Sequence, residues 1–146
     1  MGGEGTERAF GRPLVGPRGL KSHLLGKLVC VQGIVTKASA VRPKLVSAVQ
    51  YCPRTKRHET RREYFDGTEL SDRPAMTVIP TRTDKGFPLE MEYGMCRYKS
   101  FQRLVVQEMP ERAPMGQLPR SVDVVVEYDL VDRVKPGDRV QVCGVY

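Results

Sequence analysis

The residues able to do chemistry in this chain are few, and their spacing excludes most of what they could do. His23 and His58 are the only imidazoles and lie in dissimilar surroundings. No Ser, Cys or carboxylate stands in a pattern with a positioned base, which nucleophilic or general acid–base catalysis needs. The phosphate loop G-x-x-x-x-G-K-[ST] is absent, as are a Walker B acidic strand and an arginine-finger context, so these residues are not expected to hydrolyse nucleotides. Four cysteines, Cys30, Cys52, Cys96 and Cys143, stand far apart with no paired spacing. Cys30 and Cys143 each fall inside an apolar run, where a free thiol behaves as a small buried hydrophobe. No disulfide framework is expected.

What remains is positive charge. Twenty-four Lys plus Arg against 17 Asp plus Glu give +7 at neutral pH, a balance that favours a polyanionic partner and says nothing of fold. Lys37, Arg42 and Lys44 flank a proline turn and place three cations on one loop. Arg54, Lys56, Arg57, Arg61 and Arg62 form a second group. Glu59 and polar residues interrupt that group, so it reads first as the solvated rim of a small subdomain, with a nuclear-localisation or DNA patch as the other reading. There is no Trp, and 6 Tyr and 4 Phe are the only aromatics besides histidine. Base stacking should therefore be weak and phosphate attraction dominant, which makes any nucleic-acid binding sequence-tolerant and steeply salt-dependent.

The elements that must carry these cations are short strands. Val-rich runs bounded by Pro, Gly or Asp predict strands over Leu28 to Lys37, Leu45 to Tyr51, Phe101 to Glu108, Val122 to Glu127 and Arg139 to Tyr146. Gly33 interrupts the first and predicts a bulge or sharp bend there. Pro110, Pro114 and Pro119 make the link before Val122 a stiff connector, since each fixes φ and removes a donor. Lys135-Pro136-Gly137-Asp138 is a tight-turn signal. Residues 1–27 read as a lead-in: Met1 to Gly5 too polar and Gly-rich to order, Phe10 to Gly19 extended, and Leu20 to Leu25 one short helical turn. The stretch of about residues 52–99 is polar and charged and reads as an inserted subdomain, with a short strand at Met76 to Ile79. At 146 residues the chain fits one domain able to bury about 70% of its unfolded surface. No apolar run approaches the ~20 residues of a membrane helix, and no apolar leader opens the chain, which suggests an intracellular protein. Five strands with one long excursion suit either an OB-fold or an SH3-like barrel.

The wording of several segments selects between the two. Gln107-Glu108-Met109-Pro110-Glu111, Pro114, Gly116-Gln117, Pro119-Arg120, Asp129-Leu130-Val131-Asp132 and Pro136-Gly137-Asp138-Arg139-Val140 resemble the N-terminal domain of the minichromosome maintenance (MCM) proteins, subunits of the hexameric replicative DNA helicase. Leu28 to Lys37 followed by Val41-Arg42-Pro43-Lys44 resembles that domain's opening strand. Within the family, Tyr51-Cys52-Pro53 and QEMPE…APMGQLPRSVDV resemble the eukaryotic third subunit. The resemblance implies an all-β, five-stranded OB-fold Greek-key barrel at residues 28–146 with a small β, degenerate zinc-ribbon-like subdomain inserted. It implies DNA contact through Arg42 and Arg120, with Lys37, Lys44 and Arg103 beside them. The loop from Gln107 to Arg120 matches the family's allosteric loop, with Glu111 and Gln117 at its polar contact positions; the competing reading is a rigid connector and nothing more. The family's subdomain holds zinc through two Cys-x-x-Cys pairs, but here Thr55 stands where the second ligand belongs and no later pair follows. Cys52, His58 and Cys96 are left as weak candidates and zinc is not expected. The implied partners are DNA, single- and double-stranded, and other MCM subunits in a hetero-hexamer, with no membrane; the implied location is the nucleus. ATP and Mg²⁺ would belong to a motor domain outside this sequence, so the chain reads as a fragment of a longer helicase subunit. A stand-alone single-strand binding module and a purely structural assembly domain are the other two readings.

Overall fold

The computed structural model describes residues 8–9, 12–63 and 79–146. Its strands are β1 (Arg8–Ala9), β2 (Arg12–Val15), β3 (Leu28–Ala38), β4 (Arg42–Cys52), β5 (Arg57–Glu63), β6 (Glu90–Met91), β7 (Arg97–Gln107), β8 (Ser121–Glu127) and β9 (Arg139–Val145). Four single turns of 3₁₀-helix complete the regular structure, and no α-helix occurs among the described residues. The chain is thus all-β and OB-like, as expected. The five long Val-rich strands stand where the sequence places them, β7 beginning four residues earlier than the apolar run. The expected strand at Met76 to Ile79 lies, apart from Ile79, outside the described residues, as does the segment Met1 to Gly5.

Two compact units form, Met1–Val41 with Phe101–Tyr146, and Arg42–Ser100. The first is built around β3. Cys30 pairs with Leu14 of β2 in parallel and with Cys143 of β9 antiparallel, and Ile34 pairs with both Gln107 of β7 and Arg139 of β9. A strand has two edges, so β9 runs along one while β2 and then β7 share the other. This central position explains why Val29, Cys30 and Val31 are all buried: a strand covered on both faces needs a continuous apolar run. β7 pairs onward with β8, Phe101↔Glu127 through Gln107↔Ser121. From Gln102 onward β7 alternates, with Gln102, Leu104 and Val106 buried and Glu108, one residue past the strand, continuing the buried row. Leu104 at 2% and Val106 and Val35 at 0% exposure each contribute about 1.5–3 kcal/mol by leaving water.

Two expectations need correction. Of the bulge or sharp bend expected at Gly33, the bulge does not form there. Its register partner on β9 is the regular Val140, and the irregularity on the β7 side falls between Val35 and Lys37. What requires glycine is space, because a Cβ at residue 33 would meet the Gln107 carbonyl oxygen and Val106 Cγ1, each at 2.5 Å. Cys143 is not buried. It lies exposed on β9, which pairs only with β3 among the described residues. In the lead-in β2 is extended as expected, but Pro17–Gly19 turns into 3₁₀-helix instead of staying extended, and a second 3₁₀ turn follows at Ser22–Leu24. The turn signal before β9 forms, Gly137 taking φ 97° while Asp138 Oδ2 accepts from the Lys135 N–H at 2.8 Å.

In the second unit β4 pairs antiparallel with β5 and β6. Ala48, Val49 and Cys52 form its buried apolar side. Cys96 Sγ accepts from the Val49 N–H at 3.4 Å, and the Gln50 amide donates to the Pro80 carbonyl at 2.6 Å, tying two loops to β4.

Candidate nucleic-acid interface

The inward alternation of β7 dictates its outward face. Since Gln102, Leu104 and Val106 point in, Arg103 and Val105 point out. Lys37 is the register partner of Val105, and Arg103 of Val125, and directly paired residues share a face of a sheet. Lys37 and Arg103 are therefore brought to one open face of β3, β7 and β8, together with Val105, Val125 and Asp123. Both cations are exposed. Ser39 fixes the backbone beside them, its hydroxyl accepting from the Arg103 N–H at 3.0 Å and its own N–H donating to the Arg103 carbonyl at 2.9 Å. Two carboxylates share this face, Asp123 opposite Val105 and Glu127 opposite Phe101.

Of the other expected cations, only Arg120 belongs to the same unit, and it is not gathered with that pair. Arg120 is exposed five residues before Val125, about 17 Å at strand rise. Its main chain exchanges hydrogen bonds with Glu108, whose N–H donates to the Arg120 carbonyl at 2.8 Å. Arg42 and Lys44 belong to the second unit, two residues apart on one side of β4, Arg42 exposed and Lys44 half-buried. Of the second basic group, Arg54 lies over the Phe87 ring at 5.0 Å. Arg57, His58, Arg82 and Lys85 surround a cavity of about 550 Å³. The side chains of Arg61 and Arg62 lie outside the described ones.

The loop from Gln107 to Arg120 is pinned by residues that the sequence does not single out. The Arg18 guanidinium, on the 3₁₀ turn Pro17–Gly19, donates to the Glu108 carboxylate through Nε at 3.1 Å and Nη2 at 3.1 Å. It also donates to Gln117 Oε1 at 2.6 Å and the Leu118 carbonyl at 3.1 Å. Those Arg18 bonds, aided by the Arg120 N–H, hold the Glu108 carboxyl below its ordinary value of 4.5 although burial opposes them. Glu111 accepts from Arg139 of β9, and its carboxyl is likewise lowered, first by its own backbone N–H and then by Arg139. Glu111 and Gln117, expected as outward polar contacts, thus both have partners within the chain. The loop's exposed large apolar groups are Met115 and Leu118, 101% and 88% exposed. One signal for Glu108 is readable in the sequence: one residue past β7, it continues the inward row of Gln102, Leu104 and Val106, and a carboxylate there demands a cation. Nothing local points to Arg18, ninety positions away.

Gln102, at the other end of the buried row, is satisfied in the same way. Its amide donates to the Ser39 carbonyl at 2.8 Å and its oxygen accepts from the Asp132 N–H at 3.0 Å. Asp132 adopts φ 56°, a left-handed conformation that costs a non-glycine residue free energy and that this clamp helps to hold.

The weak metal candidates do not assemble. Cys52 is fully buried, His58 is exposed and packs its ring against Tyr51 at 5.2 Å, and the Cys96 thiol is engaged with main chain at Val49 and Glu92. Among the described residues no three His, Cys, Asp or Glu side chains are grouped to hold an ion.

Comparison gives the lineage of this all-β unit with cations on an open sheet face. A family model of the MCM OB domain matches residues 15–146. The chain belongs to the MCM family, through its OB domain. It is 54% identical to the "Maternal DNA replication licensing factor mcm3" of Xenopus laevis, over 97% of this chain and 18% of that protein. It is 55% identical to the "DNA replication licensing factor MCM3" of Gallus gallus, over 97% of this chain and 17% of the relative, and 54% identical to that of Drosophila melanogaster over the same shares. The chain therefore spans under a fifth of the length of these relatives, and its likeness within the family is to the third subunit.

Proposed function

We propose that this chain serves DNA replication as the non-catalytic, DNA-contacting and ring-forming N-terminal domain of an MCM helicase subunit, acting in the nucleus beside other MCM subunits. ATP and Mg²⁺ are handled by a motor domain outside these residues. The observation that carries the reading is the convergence of Lys37 and Arg103 on one open sheet face in a chain of the MCM family. Contact is with phosphates of single or double strands, so it is independent of sequence. Arg120, Arg42 and Lys44 add charge at other points along the polyanion. Two cations replaced by carboxylates, Lys37→Glu with Arg103→Glu, should weaken binding of a fluorescent single strand about tenfold at low salt. The slope of log affinity against log salt should flatten by roughly 0.7 for each phosphate that is no longer neutralised. The Arg42→Glu, Arg120→Glu pair, made in parallel, reports on the positions drawn from the family. An affinity unmoved by either pair, with melting temperature unchanged, would remove DNA contact from this domain.

Assembly is the second reading, favoured by the apolar Met115 and Leu118 presented on a loop pinned by Arg18. Firm pairing with partner MCM subunits alongside absent DNA binding would support it. Tight binding of single strands by the monomer, with no affinity for those subunits, would instead favour a stand-alone DNA-binding module.

A further inference from the structure

The pairing of β3 with β9 sets Cys30 directly opposite Cys143. Both are free thiols, and the Cys143 S–H donates to Cys30 Sγ across 2.7 Å. Directly opposed residues of antiparallel strands hold their Cα atoms about 4.5–5.5 Å apart, within the roughly 4.4–6.8 Å that a disulfide spans. Joining the two sulfurs therefore asks for no movement of the backbone. The two thiols differ in access: Cys30 is 1% exposed, whereas Cys143 is open to solvent on the strand's outer edge. The other two cysteines sit in the second unit, Cys52 fully buried and Cys96 hydrogen-bonded to main chain.

We propose that Cys30 and Cys143 form a two-electron oxidation site, closed by a peroxide-class oxidant into a disulfide that staples β3 to β9. Hydrogen peroxide meets Cys143 first, because only that sulfur faces solvent. The sulfur attacks one peroxide oxygen, the O–O bond breaks, and Cys143, the exposed residue of the pair, becomes a sulfenic acid as the first water leaves. The Cys30 sulfur then attacks Cys143 Sγ, the S–S bond forms, the S–O bond breaks, and hydroxide departs with the Cys30 proton as a second water. In sum, two thiols and one peroxide give one disulfide and two waters. The hydrogen bond to Cys30, followed by burial, holds the Cys143 thiol above its ordinary value of 9.0, so little thiolate is present at neutral pH and the first step with peroxide is slow; the geometry of the pair, not its acidity, carries the proposal. The staple joins residues 113 apart in sequence across the central pairing of the first unit. It should oppose any opening of β9 from β3, and a thiol reductant should reverse it.

The test uses the 146-residue chain, hydrogen peroxide, and alkylation of the remaining thiols before peptide mass mapping. Expected are a fall from four free thiols to two, a peptide pair joined through Cys30 and Cys143, slower amide exchange along β3 and β9, and restoration by dithiothreitol. Cys143→Ser should abolish the link and leave Cys30 reduced, while a Cys52→Ser, Cys96→Ser variant should keep it. Accumulation of sulfenic or sulfinic acid at Cys143 with Cys30 still free would overturn the proposal. So would a link that forms without slowing exchange in β3 and β9.

Discussion

Replacing Gly33 by Ala tests how tightly β3 and β7 approach one another. The added methyl would lie 2.5 Å from both the Gln107 carbonyl oxygen and Val106 Cγ1, well inside the optimum carbon–carbon separation of about 3.5–4.0 Å. Neither neighbour can swing aside, since the first is backbone next to the Ile34↔Gln107 pairing and the second is a 0% exposed core side chain. Inserting a carbon where the surroundings must shift costs roughly 1–3 kcal/mol. At about 2–4 °C per kcal/mol for a chain near this size, the melting temperature should drop by roughly 2–12 °C. Gly144→Ala supplies the control, because Gly144 stands in the same β3–β9 ladder opposite Val29 and a Cβ there meets nothing within 4 Å. There the reduced freedom of the unfolded chain should leave stability level or raise it by about 0.4–1 kcal/mol. Urea unfolding of both variants separates the outcomes, a shifted midpoint at constant slope reporting stability alone. If Gly33→Ala loses less than about 0.5 kcal/mol, within the scatter of harmless substitutions, or tracks Gly144→Ala, the close approach of the strands is wrong.

Acid should act through Glu108. Its folded pKa is lowered, so the stability it contributes is fully present above its unfolded value of 4.5 and is lost as pH falls through the folded one. Melting temperature should therefore decline below that value. Glu108→Gln should start lower at neutral pH and decline less steeply, and parallel curves would refute the Arg18 pairing as the cause. Gln102→Leu strands the Asp132 N–H and the Ser39 carbonyl; the expected cost is roughly 1–3 kcal/mol, with faster amide exchange at Asp132, and an unchanged exchange rate would count against the clamp. For the second unit, dialysis against EDTA should leave the melting temperature unmoved, and one tightly held zinc per chain by elemental analysis would contradict the reading of Cys52, His58 and Cys96.

What the sequence discloses follows from where its information is local. A strand such as β8 announces itself through Val122 to Val126 and the prolines before it, and the turn at Pro136-Gly137 through two residues whose φ values are nearly dictated. Partners remote in the chain leave no such mark. The parallel contact of Leu14 with Cys30 and the anchoring of Glu108 by Arg18 depend on which surfaces meet after folding. β5 escapes a reading of the sequence for a related reason: Arg57-His58-Glu59-Thr60-Arg61-Arg62-Glu63 has no apolar alternation, and its pairing with β4 sets its conformation. Gly33 shows the ambiguity at a single position, since a missing Cβ serves a bulge or a close neighbour equally well and only the residue across the gap decides. The same limit applies to the candidate interface. The cations are visible as types, and the inward Leu104 and Val106 set the parity that puts Arg103 outward; Gln102 extends that inward row because Ser39 and Asp132 satisfy its amide. A buried polar clamp that carries no charge of its own thus supports the face on which Lys37 and Arg103 stand.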